Sequence, residues 1–418
     1  MLAPRPLPEL STSWHRVGAS VALLAALLIL LSAVTLVDPS PATQDEVVQM
    51  LVSVVMVVGL QTFVGNTGLL SFGHMTFVGL GAYIAALLMI PPAVKAMVTP
   101  GLPPLVAGAE LHGWQAAPIA ILATGLVALP CALLMRRLAG PVGAPKQAGQ
   151  RSPVALLGLF ALLMTSNVVF SGWAGVTNGP GGLAGIARDT TLTFALVAAI
   201  LAIMGARIFK ESSWGLQLRA SRDDELAAAA VGVRVRRLQL AALVLSAMIS
   251  ALGGELLAGR LTAITPDNFF LAQAFLVVAM LLLGGMGSVS GAVVGAISIT
   301  VIQYTALGFE GTELAIGPLH INQLLGLSQL SVTVTILLIM AVRRQGIFGD
   351  SEIEDAFPLL NRLVRGGFAV VLARRAIVEK REPATGPDGE DGGAGVASPN
   401  SAFHGIAEVL GGDRPEPK

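Results

Sequence analysis

The chemistry-bearing groups of this sequence concentrate in residues 211–237. There Asp223, Asp224 and Glu225 stand between Arg219 and Arg222 on one side and Arg234, Arg236 and Arg237 on the other. Three consecutive carboxylates suit the first turn of a helix, where the helix dipole favours anions. Ser221 is placed to cap that helix. Residues 227–230, all alanine, add high helix propensity and a smooth face, and Gly232 can end the helix. The expectation is a short, small-faced helix between basic flanks, of a kind that sits in a partner protein's groove. The alternative is a solvated helix that merely joins its neighbours.

A second group is Asn66, Ser71 and His74, polar residues between two apolar stretches. Irregular polar backbone at membrane depth is tolerated only where it is buried in protein or faces water. A re-entrant or translocation-path segment is one reading, and a short turn with satisfied side chains is the other. His74 has no visible partners for a metal. The third group is Gly284-Gly285-Met286-Gly287, followed by Gly291 and Gly295. Gly287, Gly291 and Gly295 are spaced by four, which on a helix lines one face and lets another backbone approach. The double glycine, Gly284 and Gly285, can break a span and, with Gly287, form a gate; tight packing is the alternative. Glu255 is an acid inside an apolar stretch; an ionisable residue there is a functional candidate, and the alternative reading is an interfacial residue beside Arg260. Residues 177–182 form a loop by their turn chemistry. No His, Cys and carboxylate cluster has metal spacing, and no nucleophile and base converge, so neither a metal, a cofactor nor catalysis is expected. The single cysteine, Cys131, reads as a buried apolar residue.

These groups must be held by something, and composition says what. Apolar residues make up 54% of the chain and charged residues only 12%, about half the share of a soluble domain. The natural solvent for that excess is lipid. Aromatics at 5% are too sparse for a girdled β-barrel, and zero net charge offers no bulk attraction to nucleic acid. Stretches free of acids and bases mark about ten spans. They lie in 17–37, two in 47–94, then 114–135, 152–187, 190–206, 238–258, two in 268–309, and 327–342. The first is longer than a signal-peptide core and reads as a retained anchor. With the N-terminus inside, inner segments carry fifteen Lys and Arg residues and outer loops only Lys95, Arg188 and Arg260. The expected fold is therefore an all-α, polytopic membrane protein with both termini cytoplasmic. Its parts are a cytoplasmic start (1–16), a membrane domain (17–349) with an inner loop at 211–237, a basic amphipathic segment (350–382) and a disordered tail (383–418).

Five segments, in order, resemble one family. They are GNTGLLSFGHMTFVGLGAYIAALL from Gly65, VTNGPGGLAGI from Val176, and the pattern R-A-x-R-D-x-E-x-A-A-x-x-x-G from Arg219 to Gly232. Further on come ITPDNFFLAQAFLVVAMLLLGGMGSVSGAVVGA from Ile264 and RRQGIFG from Arg343. The chain is similar in these to the permease subunits of branched-chain amino-acid ABC importers. The polar stretch 139–153 and the tail after about residue 350 look extra to that pattern.

The resemblance implies a bacterial inner-membrane location and a set of partners. These are a second, related permease, two ABC ATPase subunits below and a substrate-binding protein outside. It makes Arg219, Arg222, Asp223, Asp224, Glu225, Ala228 and Gly232 the candidate ATPase-coupling surface and turns loop 177–182 toward the binding protein. No G-x-x-x-x-G-K-[ST] loop occurs in the chain, so ATP chemistry would belong to the partners. Other solutes of the same machinery, such as urea, short amides or a sugar, stay open. An ion-coupled secondary transporter is disfavoured by the lack of midplane carboxylates.

Overall fold

Helix follows helix in the computed structural model. It describes residues 10–138, 153–222, 224–310, 314–316, 319–321, 326–342 and 346–353. Residues 139–152 of the extra stretch, Asp223, the arginines of the closing motif, and the expected segments 350–382 (beyond residue 353) and 383–418 fall outside those residues. In chain order the first helices are α1 (Leu10–Ser32), α2 (Val34–Val37), α3 (Pro41–Thr67) and α4 (His74–Met89). Then come α5 (Pro92–Val98), α6 (Pro104–Ala107), α7 (Gly113–Leu138), α8 (Pro153–Gly172) and α9 (Ala174–Thr177). The remainder are α10 (Leu192–Glu211), α11 (Ser213–Ala220), α12 (Glu225–Ala230), α13 (Val235–Leu261), α14 (Leu271–Gly284), α15 (Val289–Glu310) and α16 (Leu327–Val342).

Helix α3 is the central post. Ser40 caps it by accepting from the Thr43 amide, Pro41 supplies a preset first turn, and Gly68 ends it at φ 68°. Every residue from Val47 to Thr67 except Gln49 is buried, so the helix is apolar all round because it is surrounded all round. Helices α10, α13, α14 and α15 pack against it. Helix α13 is the second hub, shared by α3, α4 and α7. Small residues make this possible. A Cβ on Gly254 would stand 1.9 Å from the carbonyl of Val78, and one on Gly81 would stand 2.3 Å from that of Ala251. Backbone touches backbone there, as lipid-immersed helices favour. Helices on the rim instead expose leucines, among them Leu122 and Leu126 on α7 and Leu201 on α10, to the surrounding solvent, which for this chain is lipid.

Seven helices among the described residues are long and apolar enough to cross a membrane, and α8 with α9, bent by 75°, makes an eighth. Two more of the expected stretches are helices α4 and α16, with 16 residues each. At 1.5 Å per residue these reach about 24 Å, short of a hydrocarbon core of roughly 30 Å. The protein is all-α and polytopic. Its β content is two short ribbons, Leu183–Ala184 with Ala263–Ile264 and Leu314–Ile316 with Leu319–Ile321.

The two ends of the bundle differ in how they are tied. At the end where α3 begins, Asp45 accepts from Arg188 at 2.8 Å and from Arg260 at 2.6 Å. Arg260 is therefore engaged at Asp45, and the expected help from Arg260 to Glu255 is not seen. Glu255 is fully buried, and neither carboxylate oxygen has a hydrogen-bond partner among the described residues. It lies against Gly113, whose amide donates to Asp189 at 3.1 Å. At the same end, Asn178 at φ 59° donates to the carbonyl of Gly182 at 2.8 Å and closes the loop 177–182.

Candidate functional site

At the opposite end the chain builds the site the sequence marks. Helix α10 carries Arg207 and Lys210 in its last turns, then reverses at Ser212. Ser212 caps α11 by accepting from the Gly215 amide at 3.2 Å. A Cβ on Gly215 would lie 2.2 Å from the carbonyl of Phe209, so α11 is folded hard against the end of α10. Ser221 closes α11 and donates to the Leu218 carbonyl, so it does not cap the next helix as expected. Asp224 does that, accepting from the amides of Leu226 at 2.8 Å and Ala227 at 2.9 Å. Gly232, at φ 89°, follows the helix, and the next amide, of Val233, returns to the Ala228 carbonyl at 3.0 Å.

The residues expected on a coupling surface divide by direction. Arg219 donates to the Lys210 carbonyl at 2.6 Å and Arg222 to the Gly65 carbonyl at 3.0 Å. Both arginines face the bundle, where they satisfy carbonyls at the ends of α10 and α3 that have no partner within their own helices. Ala228 is buried, Glu225 is half-buried, and Asp224 and Gly232 are exposed. Asp223 lies outside the described residues. The segment also exposes large apolar side chains that sequence reading passed over: Trp214, Leu216, Leu226 and Val231, the last 82% exposed. Their signal was apolar residues in a loop otherwise rich in charge.

The polar and glycine groups meet around α3. Residues 68–73 are a short connection between α3 and α4. Asn66 donates to the Thr62 carbonyl at 2.8 Å. Ser71 Oγ is 2.7 Å from His74 Nδ1, and His74 lies between the rings of Phe63 and Phe77. His74 Nε2 and Ser250 Oγ lack partners among the described residues, and both residues line one small cavity between α3, α4, α13 and α14. Gly65 abuts the α14–α15 turn, since a Cβ there would stand 2.7 Å from the Met286 carbonyl. In that turn α14 stops at Gly284, Gly285 takes φ 117°, and α15 starts at Val289. Gly291 and Gly295 press α15 against α14: their Cβ positions would meet Gly284 and Met280 carbonyls at 2.5 and 2.1 Å. Gly287 sits in the turn rather than on the helix, against Asp350, so the face of three glycines spaced by four reduces to two.

One participant was absent from the sequence reading. Glu352 is buried beneath this turn, and its carboxylate takes amides from Val289 at 3.0 Å and Ser290 at 2.9 Å. It also accepts from the hydroxyls of Ser288 at 3.0 Å and Ser290 at 2.6 Å. It pairs with Arg207 at 2.9 Å and with Lys210. Burial raises the pKa of Glu352, but the charges of Lys210 and Arg207 and the hydrogen bonds to Lys210 and Ser290 outweigh it and bring the carboxyl down to about 2. The hint in the sequence was two cations, Arg207 and Lys210, at the end of an apolar helix that supplies one acid in register, Glu211 at 3.9 Å from Arg207, and none for Lys210.

Comparison with known proteins places this arrangement. A family profile described as "Branched-chain amino acid transport system / permease component" matches residues 45–342. The "High-affinity branched-chain amino acid transport system permease protein LivM" of Escherichia coli (strain K12) is 28% identical over 299 residues, 68% of each chain. Its counterpart from Salmonella typhimurium (strain LT2) is 26% identical over the same share. The "Fructose import permease protein FrcC" of Rhizobium meliloti is 29% identical over 131 residues, 30% of this chain and 36% of that one. No solved structure matches. The match takes in most of α3, α13, residues 211–237 and the α14–α15 turn, and the chain belongs to the branched-chain amino acid transport system permease family, as a multi-pass protein of the bacterial inner membrane.

Proposed function

We propose that this chain forms one half of the translocation path of an ABC importer for branched-chain amino acids. ATP is hydrolysed by separate subunits that dock at residues 211–237 from the cytoplasm. A second permease completes the path, and a binding protein delivers the amino acid at the other end. The observation that carries this reading is the coupling segment. It offers Trp214, Leu216, Leu226 and Val231 outward while Arg219 and Arg222 hold it to the ends of α10 and α3. A surface with exposed apolar anchors and inward ties can take a push from a partner and pass it on.

In this reading the chain itself is a transport subunit and not an enzyme. Asn66, Ser71, His74 and the Gly284–Gly287 turn stand at the cytoplasmic end of the path. They are closed here by packing around α3. The test is reconstitution with ABC ATPase subunits and a substrate-binding protein from the same organism, measuring uptake of leucine, urea and fructose with and without ATP. ATP-dependent leucine uptake is the expected result. Uptake driven by an ion gradient without ATP would overturn it. Fructose belongs in the panel because of the partial likeness to the fructose permease.

A further inference from the structure

We propose that residues 346–353 are a fastener that makes the coupling segment and the α14–α15 turn move as one body, with Glu352 as the positioning residue at its knot. The fastening is a matter of geometry, and its role in transport rests on the importer reading above.

The segment lies along the underside of the turn. The Ile347 amide donates to the Leu283 carbonyl at 2.8 Å and the Phe348 amide to the Gly284 carbonyl at 3.0 Å. These are carbonyls at the end of α14, which no residue of that helix can satisfy. Gly349 then passes so close to Gly285 that a Cβ on Gly285 would stand 2.7 Å from its backbone nitrogen and oxygen. Beyond it, Glu352 inserts at the start of α15. There it takes two amides and two hydroxyls.

The same carboxylate reaches α10 by its pairs with Arg207 and Lys210, and Lys210 also donates to the Gly287 carbonyl at 2.6 Å. Lys210 is one residue from the end of α10, and its own carbonyl receives Arg219 of α11. Three links therefore run without a gap: turn to Glu352, Glu352 to Lys210, Lys210 to Arg219. A second route closes the loop. Arg222 holds the Gly65 carbonyl, and Gly65 abuts Met286 in the turn.

Arg207 and Lys210 share the Glu352 carboxylate, and removing Glu352 leaves two buried cations without the acid they share. Such a cluster resists partial opening. A displacement of α11 by a partner must therefore carry the turn with it, or break the whole knot. A local cap on α15, by contrast, would leave α10 and α11 free to move alone.

The experiment uses the full chain in lipid nanodiscs and reads amide hydrogen exchange, which does not depend on transport. Glu352→Gln keeps the shape and removes the charge. It is expected to speed exchange by about fivefold or more in both 283–292 and 210–222. Faster exchange in 283–292 alone would show that Glu352 only caps α15, and the proposal would fail. Lys210→Met perturbs the knot from the other side and guards against a Gln variant that does not fold. It should speed exchange in 283–292, and an unchanged turn would overturn the proposal. In the reconstituted importer, Glu352→Gln should lower leucine moved per ATP hydrolysed by about tenfold. An unchanged ratio would remove the fastener's part in transport. A wild-type assembly with no ATP-driven uptake would instead sink the importer reading, and the exchange results would still decide the fastening.

Discussion

Arg222 holds the backbone carbonyl of Gly65 at 3.0 Å, across 157 positions of sequence, and so joins the 211–237 segment to the end of the central helix. The carbonyl belongs to the last turn of α3, where the helix leaves its acceptors unpaired. A guanidinium supplies the missing donor with a charge behind it.

Removing that donor has a measurable cost. Arg222→Ala is expected to destabilise the chain by about 1.5–3 kcal/mol, the usual range for a hydrogen bond to a charged group. Thermal unfolding in detergent should show the drop, and uptake in the reconstituted importer should fall with it. An unchanged unfolding temperature would mean that water replaces the arginine without loss.

The contact between α4 and α13 leaves no room for a side chain. Gly254→Ala would put a methyl 1.9 Å from the Val78 carbonyl, and backbone cannot yield as a flexible side chain can. The expected loss is about 3 kcal/mol or more, the upper end of overpacking costs. Membrane-inserted, monodisperse protein after size exclusion should fall sharply. Normal yield would show that the two helices can separate freely.

Acid should loosen the knot beneath the α14–α15 turn. The Glu352 carboxyl is lowered from an ordinary 4.5 to about 2, so its contribution to stability is complete above the unfolded value. It is lost as pH falls from there through the folded value. Wild-type stability should therefore decline as pH falls from about 4.5 toward 2, and Glu352→Gln should remove that component of the acid sensitivity. Parallel pH profiles for the two proteins would contradict the assignment.

Glu255 is a different kind of acid. It is fully buried, and both its oxygens lack partners among the described residues, so its polarity contributes nothing visible to the fold. Replacing an unpaired buried polar group by an apolar one of similar shape stabilises. Glu255→Met is expected to raise stability by about 1–3 kcal/mol. A lower unfolding temperature in the variant would reveal a partner that Glu255 needs.

The exposed apolar residues of the 211–237 segment can be tested apart from its inward arginines. Leu226→Glu and Val231→Glu change two exposed residues that support no core. The double variant should keep the chain's own stability to within about 0.5 kcal/mol. It should lose co-purification of the ATPase subunits. Retained capture would place the docking face elsewhere.

Much of this was legible because the physics involved is local. Apolar stretches fall on helices since each span must satisfy its own backbone, and the coupling segment stands out because charge is so rare elsewhere. Even there, the cap was misassigned. Ser221 and Asp224 are both good caps three residues apart, and only the length of α11, which consumes Ser221, decides for Asp224. Long-range pairing left no such trace. Arg260 looked like the natural companion of Glu255 five residues away, yet it is held by Asp45, 215 positions earlier. Glu352 and Lys210 are 142 positions apart, with no periodicity linking them. The glycines were visible as a set, but only the point where α15 begins shows that Gly287 belongs to a turn.

Helix α3 has a further consequence. Near its first turn it is moored by Asp45 to Arg260 at the end of α13, at its last turn by Gly65 to the coupling segment, and between them it is gripped on all sides. A rod clamped at both ends and along its length cannot tilt by itself. The bundle is thus built around one fixed rod, held by a carboxylate near one end and a guanidinium at the other.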